Sequence, residues 1–183
     1  MLEIAHNFPI TESEFYDLDK KFSKLCWCAA HELKKKNTNK NYLDDAEDIK
    51  QELQMSMLRA GSYYKRQVYI EKCFEIAKKY VRDKFVAKVL FELEELWQNR
   101  TRHGANRQKY GAFQEKILDK IVRKFVPKDQ RPRKDAPLKI DSKFTTYCKA
   151  IIWNGQKSMG KRITREKSIR SGMVSLSEFE FLH

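Results

Sequence analysis

Long apolar runs are missing from this chain. None approaches the roughly 20 residues that cross a bilayer, so no membrane partner is expected. The opening residues, MLEIAHNFPI, lack the basic and long apolar regions of a secretory leader. The expectation is a soluble, cytoplasmic protein. Alternating apolar and polar residues are also missing at any useful length, which removes strands and leaves an all-α fold. There is no Gly-rich phosphate loop and no spaced set of metal ligands. His6, His31, His103 and His183 stand apart, without a carboxylate or thiol arrangement that would make a catalytic group. Neither an enzyme nor a cofactor is expected. Four cysteines, Cys26, Cys28, Cys73 and Cys148, are too few and too scattered for a disulfide framework. Cys26, Cys28 and His31 lie close together but lack zinc-ligand spacing. They read as buried structural thiols, with no metal.

What the chain does have is charge, and it is placed unevenly. The formal net charge is +13, yet residues 1–99 hold 17 Lys/Arg against 17 Asp/Glu. Residues 100–172 hold 21 against 6, so the whole excess lies in one block. Segregated positive charge is the footprint of a polyanion partner. Nucleic acid fits best, ahead of a membrane surface or an acidic protein.

Helical patterns fill most of the rest. Thr11 and Glu14 form a capping box after Pro9. Phe15, Leu18, Phe22, Leu25, Ala29 and Leu33 then recur at three- and four-residue steps, predicting a helix to about Lys36. Asp44 with Glu47 begins a second, striped by Ala46, Ile49, Leu53, Met57 and Ala60, with Gly61 as its expected stop. A long helix from Gln67 to about Asn99, broken near its middle, is expected to bury Phe74, Ala77, Val81, Phe85, Val89, Leu93 and Leu96. A shorter one should bury Phe113, Ile117, Ile121 and Phe125. Three of the four prolines fall in 127–140 with several basic residues, an extended basic loop. Asp141 or Ser142 would cap a last helix, in which Gly155 and Gly160 suggest a kink or break. The composition changes after Arg170, and 171–183 reads as a flexible tail.

Two stretches carry a resemblance. AEDIKQELQMSMLRA, with Asp48, Ile49, Gln51, Glu52, Leu58, Arg59 and Ala60, resembles the second core helix of region 2 in the sigma-70 family of RNA polymerase initiation factors. FTTYCKAIIWNGQKSMGKRITRE, from Phe144, is similar to the family's promoter-melting helix, which reads the −10 element. Ala150 and Ile151 stand where housekeeping members have a Trp pair, and Trp153-Asn154 is closer in style to divergent phage late-gene sigma factors. About 80 residues separate the two stretches, where the family has a dozen or so. No −35-reading helix-turn-helix is expected after them.

The resemblance implies a sigma region 2-like domain over 1–62 and 141–170, with 63–140 as a helical insertion. It implies polymerase contacts at Asp48, Gln51, Glu52 and Gln54, against the clamp coiled coil of core RNA polymerase. It implies promoter DNA contacts at Tyr147 and Trp153 by stacking, at Asn154 by a base edge, and at Lys149, Lys157, Lys161, Arg162 and Arg165 by phosphates. SLSEFEFLH is similar to the tails by which phage late transcription proteins bind a sliding clamp or coactivator, with Phe179, Phe181 and Leu182 as anchors. The expected function is a sigma-like initiation factor for phage late genes, acting in the bacterial host cytoplasm. The competing readings are a nucleic-acid-binding accessory or replication protein, and a polymerase-binding inhibitor of transcription.

Overall fold

The computed structural model describes residues 8–36, 46–99 and 107–180. The fold is all-α, with no strand among the described residues. Its helices are α1 (Glu12–Lys36), α2 (Ala46–Tyr80), α3 (Lys84–Asn99), α4 (Arg107–Phe125) and α5 (Ser142–Glu180), with a single 3₁₀ turn at Lys128–Gln130. No helix among the described residues is long and apolar enough to cross a membrane. The chain divides into two compact units, Pro9–Tyr63 with Leu138–His183, and Met1–Phe8 with Tyr64–Pro137. Helix α2 contributes its first half to one unit and its second half to the other.

In the first unit α1 packs along α5. The capping box at its start is made reciprocally: Thr11 N–H donates to Glu14 at 2.8 Å, and Glu14 N–H donates to the Thr11 hydroxyl at 3.3 Å. The other Glu14 oxygen accepts the Leu138 N–H at 2.6 Å and so ties the approach to α5 back onto α1. Leu18, Phe22, Cys26, Ala29 and Leu33 are buried, as are Ile49, Leu53, Met57 and Ala60 of α2. Helix α5 adds Phe144, Cys148, Ile152, Met159 and Ile163, and Phe22 meets Phe144 edge-on at 6.3 Å. Asp141 caps α5 by accepting the Phe144 N–H at 2.7 Å.

Three expected interruptions are absent, for one reason. A β-carbon on Gly61 would meet Ile10 at 2.9 Å, one on Gly155 would meet Leu53 at 3.1 Å, and one on Gly160 would meet Leu33 at 3.2 Å. These glycines permit close approach of neighbouring side chains. The α2 helix runs through Gly61 and α5 runs through Gly155 and Gly160 without a break. Nor does the change of composition after Arg170 end α5, which continues to Glu180.

The second unit has its own core of Tyr69, Ile70, Cys73, Phe74, Ala77, Val81, Leu90, Leu93, Trp97, Leu118, Ile121, Val122 and Val126, closed by Phe8. The break between α2 and α3 falls at Val81–Asp83, where the Asp83 carboxylate accepts the Phe85 and Val86 N–H groups at 2.9 Å. Beyond that cap the expected stripe holds in part: Leu93 is buried and Val89 packs against the core. Phe85 and Leu96 are exposed, whereas Leu90 and Trp97 are buried. On α4 the buried row is Leu118, Ile121 and Val122, and Phe113 is exposed.

Candidate nucleic-acid interface

One side of α5 is core, and the opposite side is where the candidate residues collect. Lys149, Trp153, Lys157, Lys161 and Arg165 follow one another at four-residue steps, so they form a single row along the helix. The row spans about 24 Å, with a residue every 6 Å or so. Its four basic members are exposed, and Trp153 is half-buried. Asn154 is exposed beside this row, and Tyr147 stands half-buried two turns earlier on the side of Asn154. The helix therefore offers two aromatic edges, an amide and four cations on one continuous surface. Stacking on aromatics combined with a cationic track is how single strands are held.

Arg162 is placed differently. It points toward α2 and makes a two-pronged pair with Glu52, at 3.2 Å and 3.0 Å. Glu166, one turn further along α5, lies 4.0 Å from the same guanidinium. A residue expected on DNA and a residue expected on polymerase are thus joined to each other. Both side chains are close to half exposed, so the pair is a weak, solvent-screened one.

On α2, Asp48, Gln51 and Glu52 are exposed on the first two turns, while Gln54 is half-buried and donates to Asp19 of α1 at 2.5 Å. Gln54 thus braces α2 against α1. A neighbouring cluster was not signalled by any motif. Trp27 stacks on His31 at 4.9 Å, and the Lys50 ammonium lies 5.0 Å from the Trp27 ring centre. Lys50 also pairs with Glu47 at 3.1 Å. The only trace of it in the sequence is the four-residue spacing of Trp27 and His31. Of the tail candidates, Phe179 falls within α5 but its side chain is outside the described residues, as are Phe181 and Leu182 altogether.

Part of the basic block is used internally. Arg131 donates to the carbonyls of Val126 and Arg123 at 2.9 Å and 2.7 Å, closing the end of α4. Lys134 bonds Asp119 at 2.9 Å and Glu115 at 3.4 Å. Glu115 also pairs with the buried Arg66 at 2.8 Å, and Tyr69 donates to Asp119 at 2.7 Å. Burial works against the Lys134 ammonium, but the bonds and charges of Asp119 and Glu115 together outweigh it and the proton is held more tightly than usual. Burial, then the Asp119 bond, push the Tyr69 phenol well up. The loop over 127–140 is therefore anchored by two of its cations instead of presenting all of them.

The thiols are inert groups with one exception. Burial pushes Cys26 up to about 11 and Cys73 and Cys148 up to about 12. Cys28 corrects the expectation that it is a buried thiol, since it is exposed. No group of His, Cys, Asp and Glu that could hold a metal occurs among the described residues. Comparison with family models, with curated proteins and with solved structures finds no match to this chain.

Proposed function

We propose that this protein is a sigma-like initiation factor: it docks on core RNA polymerase through the start of α2 and opens a −10-like promoter element with α5. The observation that carries the reading is the single exposed row of Lys149, Trp153, Lys157, Lys161 and Arg165, backed by core and flanked by Asn154 and Tyr147. That row fits a displaced single strand better than a duplex. A helix in a major groove reads base edges with Arg, Lys and amide side chains, whereas the rings of Trp153 and Tyr147 on this surface suit bases that have left the stack. Trp153 supplies a face for an unstacked base and the lysines neutralise the phosphates that follow it.

The sequence resemblance adds the polymerase. Asp48, Gln51 and Glu52 stand exposed on α2, against the same core as α5. A factor that melts DNA needs both surfaces, because base capture without polymerase docking is only strand binding. Late genes of a phage are the transcription programme that the Trp153-Asn154 pattern suggests. The test is a pull-down of purified core polymerase by the full chain. Retention that is lost in Gln51→Ala supports the reading, and failure to retain core polymerase at low salt leaves a nucleic-acid-binding protein instead.

A further inference from the structure

Helix α3 carries an arrangement that neither its own core nor the nucleic-acid surface uses. Leu90, Leu93 and Trp97 are its buried side. About a quarter turn away runs a second apolar row of Phe85 and Leu96, with half-buried Val89 between them packed against the core. Phe85 is 76% exposed and Leu96 is 53% exposed. Beside that row, further from the core, stand Lys84, Lys88, Glu92 and Glu95, all exposed.

The order of those charges is the reverse of what a helix favours. Acidic groups are stabilised near a helix N-terminus and basic groups near its C-terminus. Helix α3 has no acidic residue in its first turn and no basic residue in its last. Its lysines come first and its glutamates follow. Asp83 caps the start of the helix, but the lysines and glutamates of this flank run against the dipole. Opposite a second helix of the same sequence running the other way, every lysine faces a glutamate and the two dipoles oppose.

We infer that two copies of this chain associate through α3, antiparallel about a two-fold axis near the middle of the helix. Phe85 of one copy packs on Leu96 of the other, and the lysine half of one charged flank faces the glutamate half of the other. In an antiparallel helix pair the same flank meets itself, so the single charged flank is matched by its own copy. A parallel arrangement would set opposite flanks together, so the charged flank of each copy would face the core side of the other and find no counter-charge. A uniformly acidic or basic partner would repel half of the face. The contact is isologous and closes at two copies. It is also small, below the size of stable obligate interfaces, so the dimer is reversible and depends on concentration.

Sedimentation equilibrium on the full chain without DNA tests this. The expected result is a monomer–dimer equilibrium that weakens as salt rises, and that is abolished by Phe85→Asp with Leu96→Asp. Two charge variants then give a stricter test. The Lys84→Glu/Lys88→Glu chain and the Glu92→Lys/Glu95→Lys chain should each lose at least tenfold in self-association, and a mixture of the two should form a heterodimer. All four positions are exposed, so unchanged helical circular dichroism is expected of each variant. A wild-type chain that remains monomeric at roughly 500 μM in low salt, a range that still detects weak association, would overturn the inference. So would a dimer indifferent to these substitutions, or charge variants that fail to pair with each other.

Discussion

Cys28 differs from Cys26 by its angle on α1, and from all three other thiols by its exposure. Cys26 and Cys28 sit two residues apart, and one side of the helix faces Phe22 and Phe144 while the other faces water. The physical consequence is reactivity. A thiol must ionise to attack, and Cys26, Cys73 and Cys148 are held in the protonated form by burial up to about 11, 12 and 12. At pH 8 a disulfide reagent should therefore label one thiol quickly in the folded chain and the other three only on unfolding. The same shifts bear on stability. An unfolded chain ionises these thiols near their ordinary value of 9.0, while the folded chain keeps its protons to higher pH. Above about pH 9 the folded state thus binds more protons than the unfolded state, and stability falls as pH rises. Denaturant melts between pH 8 and 11 should show that decline, and replacing Cys148 with Ala should make it shallower.

At the scale of elements, the joint between α2 and α5 sets the geometry of the site. Gly155 lets Leu53 lie against the α5 backbone. Gly155→Ala should be nearly neutral, because the helix propensity gained, about 1 kcal/mol, offsets a contact that has to yield slightly. Gly155→Val has no such offset and should lower stability by roughly 1–3 kcal/mol, the range for overpacking a core; thermal or chemical denaturation reads both. The Glu52–Arg162 pair gives a second test, because it joins the two proposed surfaces. Trp153→Ala should weaken capture of a single strand roughly tenfold, within the stacking range per base, and leave polymerase retention intact. Gln51→Ala should do the opposite. Glu52→Ala should lower polymerase retention and also raise single-strand affinity by ~2–3-fold, since Arg162 is released from a weak pair. Fluorescence anisotropy with a labelled strand, run beside the pull-down, separates the three.

How much of this was legible in the sequence follows from the same elements. The stripes of α1 and the first half of α2 were readable because a single period governs each. Leu18, Phe22, Leu33, Ile49, Leu53 and Met57 all lie where that period puts them. Gly61, Gly155 and Gly160 misled because propensity marks glycine as a breaker, while its reason here is a neighbour's side chain distant in sequence. Helix α3 misled because it has two apolar rows, and a period alone does not say which one is buried. The residues of the row from Lys149 to Arg165 came from the resemblance, and their four-residue spacing was not read as a single row. The pairing of Arg162 with Glu52, 110 positions away, was not legible, because nothing local in either residue records its partner.

For the whole molecule the governing quantity is charge. The excess in 100–172 reads as a single polyanion footprint, yet Arg131 and Lys134 are tied to carbonyls and carboxylates of their own unit. The surface proposed to meet a strand is thus narrower than the sequence total. With Lys149, Lys157, Lys161 and Arg165 as phosphate contacts, the slope of log affinity against log salt for a single strand should be about −3. A much steeper slope would mean that the basic residues outside α5 take part as well.

The central claim is that strand capture by α5 serves promoter opening. Its most direct measurement is transcription in vitro, with purified core polymerase, this chain and the genome it comes from, followed by mapping of the RNA 5′ ends. The account predicts discrete starts that depend on the chain, share a short A/T-rich motif at the −10 position, and disappear with Trp153→Ala. Starts that are absent, or that appear equally without the chain, would contradict it.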